Sequence, residues 1–214
     1  MNTQVDTYLV TQTNLSGDRS TVEVVRAAIA GGVDAVQLRE KHATARERYE
    51  LARELRQMTA DAGVTFVVND RVDIAVAADA DGVHLGDDDL PVSVAREQLG
   101  PDAVVGRSVS TVEAARDAEA AGADYLGVGA VFSTSSKDVD DDEAEIGTET
   151  VAEIVEAVDV PVVGIGGITP ENAADVAAAG ADGVAVISAI AGSDDPEEAT
   201  RRLATAVREG RASL

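Results

Sequence analysis

The 214-residue chain contains no cysteine. That excludes disulfides, thiolate metal sites and thiol nucleophiles, and it fits a cytoplasmic protein. Tryptophan is also absent, and only three tyrosines and two phenylalanines occur, so the core has to be built from Ala, Val, Ile and Leu. No apolar run approaches the roughly 20 residues of a membrane span. The opening MNTQVDTYLVTQT has no basic segment followed by an apolar one, so no secretory signal is expected. Lysine is nearly missing: Lys41 and Lys137 stand against fifteen arginines and forty acidic residues. The net charge of −23 argues against nucleic-acid and membrane partners, which need basic surface. Self-repulsion on this scale weakens a compact state in dilute buffer. In molar salt the Debye length falls to about 3 Å and the repulsion is screened. The composition is that of a protein adapted to high salt.

What is present is an alternation of short apolar runs and amphipathic stretches. The strand-like runs cover 7–11, 35–40, 65–70, 82–86, 104–109, 125–132, 160–167 and 183–188. Most are continuously apolar, as parallel strands buried on both faces require. Segments such as TARERYELARELRQMTADAG (44–63) and TVEAARDAEAAGA (111–123) carry helical periodicity between them. An internal echo recurs as AGGVDAVQL, AADADGVHL, AAGADYLGV and AAGADGVAV. Each copy ends a helix on Gly or a near equivalent and turns through Asp into a strand. Strict β/α alternation implies parallel strands with crossover helices. Eight units in this length predict a single-domain (β/α)8 TIM barrel spanning 1–214, with its active site at the C-terminal strand ends. A doubly wound sheet would need an early Gly-rich fingerprint, and none is found.

The polar residues at those strand ends are unusual for this chain. Gln37, Arg39 and Lys41 alternate after strand 2 and so share one side. Strand 3 ends in Asn69-Asp70, strand 4 leads to Asp87-Asp88-Asp89, strand 5 ends at Ser108, and strand 6 runs into FSTSSK. Arg and Lys here suit an anionic ligand, Arg as a planar fork and Lys as a point charge. Asp70 and Asp89 would repel that ligand unless a hard cation joined them, and Mg2+ commonly takes one or two carboxylates plus phosphate oxygens. GIGGITPENAADVAAAGADGVAVISAI supplies a Gly-rich turn, with Gly167, whose exposed backbone can approach an oxyanion. The acidic run 138–147 reads as a solvated loop or a lid.

The stretches VQLREK, VNDRVDIAVAADADGVHLGDDDLP, GRSVST, YLGVGAVFSTSSK and VVGIGGITPENAADVAAAGADGVAVISAI, in this order, resemble the thiamine-phosphate synthase family along nearly the whole chain. The resemblance implies Mg2+-dependent condensation of two small molecules, 4-amino-2-methyl-5-hydroxymethylpyrimidine diphosphate and 4-methyl-5-hydroxyethylthiazole phosphate. The products are thiamine phosphate and pyrophosphate, reached through a dissociative, carbocation-like substitution. Carried over by position, it makes Gln37, Leu38, Arg39, Glu40, Lys41, Asn69, Ser108 and Lys137 contacts to the pyrimidine diphosphate. Arg39, Lys41 and Lys137 are the catalytic cations among them. Asp70 and Asp89 become the Mg2+ ligands. Thr134, Ser135 and Ser136, with Gly167, Ile187 and Ser188, form the cradle for the thiazole phosphate. His84 is expected to be a structural imidazole and His42 to be exposed. Two departures stand out. Ser133 replaces the family's usual proline before the hydroxyl run, and Asp87 replaces its usual glutamine after His-Leu-Gly. The register favours Asp89 among the three aspartates. A thiazole tautomerase-like enzyme and a non-catalytic phosphate sensor are the competing readings, and a homo-oligomer is compatible with the sequence.

Overall fold

The computed structural model describes residues 5–134 and 145–214. Eight strands close in sequence order into a parallel barrel, with β8 (Gly183–Val186) hydrogen-bonded back to β1 (Thr7–Val10). Between them run β2 (Ala35–Leu38), β3 (Thr65–Asn69), β4 (Gly82–Leu85), β5 (Val104–Val109), β6 (Tyr125–Val128) and β7 (Val162–Ile165). The crossover helices are α1 (Thr21–Ala30), α2 (Ala45–Ala62), α3 (Val72–Ala77), α4 (Val92–Leu99), α5 (Val112–Ala120), α6 (Gly147–Val155) and α7 (Ala173–Ala178). A short α8 (Ser188–Ala191) follows β8, and α9 (Pro196–Arg211) closes the ring. This is the (β/α)8 barrel expected from the alternation. The sixth apolar run was expected to be strand through residue 132, but β6 stops at Val128. Beyond the Gly129–Ala130 step, Val131 and Phe132 donate instead to Ile165 and Gly166, tying the segment to the end of β7.

Strand alternation sorts the apolar residues into two layers. Outward residues such as Leu9, Val36, Phe66, Val83 and Leu126 meet the helices in one continuous core. Inward residues form a smaller cluster inside the barrel, including Tyr8, Val10, Ala35, Val67, Tyr125, Val163 and Ala185. Two of the three tyrosines are spent there, both fully buried. Glycine makes room for them: a Cβ on Gly106 would lie 2.2 Å from the Tyr125 ring.

The sequence echo has a structural cause at the bottom of the barrel. Its four aspartates precede the even-numbered strands, and each accepts a backbone N–H from the start of the preceding odd strand. Asp34 takes those of Asp6 (2.9 Å) and Thr7 (3.0 Å), and Asp81 that of Phe66 (2.8 Å). Asp124 takes that of Val105 (2.7 Å) and Asp182 that of Val162 (2.8 Å). The same aspartates donate their own N–H groups to Thr7, Phe66, Val105 and Val162. The strand pairs 1–2, 3–4, 5–6 and 7–8 are thereby each pinned in register by one carboxylate. Arg56 on Asp81 (3.0 Å) and Arg96 on Asp124 (2.5 Å) balance two of these charges. Among the described residues no helix is long and apolar enough to cross a membrane.

Candidate active site

Three adjoining cavities open where the C-terminal strand ends converge. The first, about 250 Å3, is lined by Ser133, Thr134, the Ile165–Thr169 turn and Ala185–Ser188. The second, about 80 Å3, lies between Tyr8, Gln37, Arg39, Asn69, His84, Ser108 and Tyr125, and shares Ile165, Ala185 and Ile187 with the first. The third, about 290 Å3, runs along Gln12–Asn14 and Arg39–Ala43, and shares Arg39 with the second. The three therefore form one trough across the mouth, from the Gly-rich turn after β7 to the cationic segment after β2.

At the Gly-rich end the backbone needs glycine. Gly166 and Gly167 adopt φ of 102° and 63°. A Cβ on Gly167 would sit 2.5 Å from the Ser133 carbonyl oxygen and 2.8 Å from Phe132 Cβ. The turn after β7 and the segment after β6 thus touch backbone to backbone, which brings Thr134 beside Gly167, Ile187 and Ser188 in one cavity. Asn172 locks the turn by accepting from Thr169 N (2.8 Å) and donating to the Gly167 carbonyl (3.1 Å). Ser135, Ser136, Lys137 and residues 138–144 of the acidic run lie outside the described residues.

At the cationic end Arg39 is held before any ligand arrives. Its backbone N–H donates to Thr11 Oγ1 (3.0 Å), and its Nη1 donates to Gln12 Oε1 (2.8 Å). Neither Thr11 nor Gln12 was singled out from the sequence, since a lone amide in the first β/α loop carries no signal. Glu40 and Leu38 are placed differently from the cations. One Glu40 oxygen accepts from Thr13 N and Oγ1 and the other from Thr21 Oγ1, fastening the first loop to the second. The Leu38 side chain packs outward beneath the helices, and Leu38 is not among the residues that line the three cavities.

Asp70 follows β3 with φ of 63°, unusual for a residue bearing a Cβ, and its N–H donates to the His84 carbonyl (2.8 Å). Burial and the apposed Asp89 carboxylate push Asp70 up to about 6, with Lys41 and Arg39 pulling it back. Asp89 is fixed by the Gly86 N–H, 2.6 Å from its Oδ2. Asp87 turns away to pair with Arg107 at 2.6 Å, its side chain 92% exposed, and Asp88 is exposed. Two carboxylates pressed together beside cations are a costly arrangement that a divalent cation would relieve. Among the described residues no set of three or more His, Asp or Glu side chains could hold a metal. A pair fits Mg2+, which completes its shell with water and substrate oxygens, better than a metal needing an all-protein cage.

His84 lies inside the barrel, with Nδ1 2.8 Å from the Tyr125 hydroxyl and Nε2 2.9 Å from Ser108 Oγ. Tyr125 in turn meets Tyr8 at 2.9 Å, and Gln37 Nε2 donates to Tyr8 at 2.9 Å. Tyr8 and Tyr125 were not marked as site residues by the sequence. Their signal was available: two of very few aromatics fall at inward positions of strands.

Comparison with known proteins points to one family. The family model described as thiamine monophosphate synthase matches residues 7–190. The chain belongs to the thiamine monophosphate synthase family. It is 68% identical over 200 residues to the thiamine-phosphate synthase of Natronomonas pharaonis, covering 94% of each chain. It is 66% identical over 207 residues to that of Haloarcula marismortui, covering 96% of this chain and 98% of the relative. The solved thiamine phosphate pyrophosphorylase of Pyrococcus furiosus superposes with a TM-score of 0.89 at 45% identity, over 97% of this chain and 98% of that one. Relatives from salt-adapted archaea accord with the charge of −23.

Proposed function

We propose that this enzyme joins 4-amino-2-methyl-5-hydroxymethylpyrimidine diphosphate to 4-methyl-5-hydroxyethylthiazole phosphate at the trough, giving thiamine phosphate and pyrophosphate. The observation that carries the reading is the series of three adjoining cavities, with a Gly-rich cradle at one end and Arg39 and Lys41 at the other, and the Asp70–Asp89 pair close enough to feel both cations. Two anionic groups separated by a middle that offers both apolar walls and the polar side chains of Gln37, Asn69 and Ser108 are what such a trough accommodates. The Gly167 turn, Thr134, Ile187 and Ser188 hold the thiazole phosphate, joined by Ser135 and Ser136. Gln37, Asn69 and Ser108 surround the pyrimidine end, with Arg39, Lys41 and Lys137 on its diphosphate.

Asp70 and Asp89 would hold Mg2+, which when bound neutralises charge on the diphosphate. The chain's own part is electrostatic. As the pyrimidine-CH2–O bond breaks, both electrons leave with pyrophosphate, and the cations meet charge that grows on the departing oxygens. Arg39, already anchored to Gln12 and Thr11, needs no reorganisation at that moment. The ring stabilises the resulting cation, and the thiazole nitrogen lone pair forms the new C–N bond. No protein nucleophile is required, consistent with a cysteine-free site. A cysteine-free chain of this kind works in the cytoplasm on small molecules. The test is incubation with both substrates in molar KCl, with and without Mg2+, and chromatographic detection of thiamine phosphate. Its absence under every salt condition would overturn the assignment.

A further inference from the structure

Five polar groups form an unbroken chain across the inside of the barrel: Gln37, Tyr8, Tyr125, His84 and Ser108, in contacts of 2.8–2.9 Å. Donor and acceptor counting gives this chain one direction. Gln37 Nε2 is a donor only, so the Tyr8 oxygen accepts from it. Tyr8 carries one hydroxyl hydrogen, and the oxygen within reach for it is that of Tyr125. The Tyr125 hydrogen must then go to His84 Nδ1, which has to be unprotonated. The ring proton is left on Nε2, where it donates to Ser108 Oγ. With its oxygen receiving from His84, Ser108 has its own hydrogen left over for the cavity it lines with Gln37.

We infer that Tyr8, Tyr125 and His84 are positioning residues that fix His84 as the Nε2–H tautomer and so make Ser108 an obligate hydrogen-bond donor to the bound substrate. The chain spans from β2 to β5, so the amide orientation of Gln37 and the hydroxyl orientation of Ser108 are set together rather than separately. Both phenols keep their protons: burial raises Tyr8 well above the ordinary phenol range, and burial with the neighbouring Tyr8 does the same to Tyr125. The barrel is shaped to hold the wire. Gly106 gives the Tyr125 ring its space, and a Cβ on Gly127 would lie 2.9 Å from His84 Cε1. A purely structural imidazole needs neither a defined tautomer nor a route to a ligand-facing hydroxyl. The direction of donation is therefore the feature that separates the two roles.

The inference rests on the proposed reaction only for what Ser108 meets, and the wiring can be read without turnover. Protein labelled with 15N-histidine should show His84 with Nε2 protonated and Nδ1 bare; a His84→Gln variant separates its signals from those of exposed His42. A protonated Nδ1 in the unmodified protein would overturn the proposal, whatever any variant does. Tyr125→Phe removes the donor to Nδ1, releases the tautomer and lets Ser108 turn its hydrogen toward the ring. It should lower kcat/KM for the pyrimidine diphosphate roughly tenfold, the worth of one buried hydrogen bond, and leave KM for the thiazole phosphate unchanged. In a Ser108→Ala background the same change should cost less than about twofold, because the group it orients is gone. Losses that simply multiply in the double variant would show Tyr125 to be packing alone and refute the inference. Protein that shows the Nε2–H tautomer but makes no thiamine phosphate would refute the proposed function and leave the wiring standing.

Discussion

Replacing Asp70 by Asn should stabilise the metal-free protein while impairing the enzyme. Asp70 is pushed from 3.8 to about 6, chiefly by burial and then by Asp89. In this window the folded state holds a proton that the unfolded state has released. The stability present below about pH 4 is therefore lost as pH rises through about 6. At about 1.4 kcal/mol per pH unit the full shift corresponds to about 3 kcal/mol. Asp70 is only half-buried, so solvent screening reduces this to about 1–2 kcal/mol. Because burial leads over the Asp89 charge, molar salt should trim the effect without removing it. The assay is urea denaturation in molar KCl with a chelator, comparing both proteins at several pH values. The two should have similar stability near pH 4, with the Asn form ahead by about 1–2 kcal/mol above pH 7. Added Mg2+ should then stabilise the unmodified protein more than the variant. A variant that is no more stable above pH 7, or whose advantage does not change with pH, would refute the picture of two apposed carboxylates.

Gly167→Ala forces a Cβ into the Ser133 carbonyl at a φ of 63°. It should raise KM for thiazole phosphate at least several-fold, with little change for the diphosphate, in steady-state kinetics. Gln12→Ala frees Arg39 without removing its charge, so the diphosphate KM should rise by roughly three- to tenfold, with an unchanged circular dichroism spectrum. Asp124→Ala leaves Val105 N–H and Arg96 without their shared partner. It should cost about 2–3 kcal/mol in urea denaturation while both KM values stay put. Lys137→Ala should lower kcat far more than it weakens thiazole-phosphate binding, because its charge counts chiefly as pyrophosphate departs. Equal losses would make Lys137 a binding residue.

The barrel was legible in the sequence because its signals are local. Eight apolar runs and the recurring Gly/Ala-Asp turns report on single strands and single helix ends, and the alternation that set Gln37 and Arg39 on one side is seen where both line the same cavity. What the echo was for could not be read, since each aspartate serves the preceding odd strand. Asp124, for example, bonds Val105 across the whole of α5. The same limit applies at the site. The register favours Asp89 over Asp87 and Asp88, but what each one meets follows only from the bend of the chain, which brings Asp87 to Arg107 and Asp89 to Gly86. His84 was expected to be a buried imidazole and is buried, but its partners, Ser108 on one side of the ring and Tyr125 on the other, could not be read from the sequence. Both partners come from other strands.

The scarcity of cations gains meaning when set against the site. A surface of −23 would repel two anionic substrates at low ionic strength, and no chain-wide field draws them in. In molar salt that repulsion decays within about 3 Å, but so does any long-range attraction by Arg39 or Lys41. Capture and catalysis then depend on contacts at hydrogen-bonding distance, where desolvated, pre-aimed groups keep their strength. A cation that has to be oriented on arrival would be inefficient under these conditions, because its charge is screened before it is placed. Arg39 instead has both its backbone and its guanidinium anchored, and at the opposite end of the trough the described residues give a fixed glycine turn and no charged side chain. The acidic exterior and the rigid mouth are thus one adaptation. Salt removes electrostatic reach, and the site compensates with geometry.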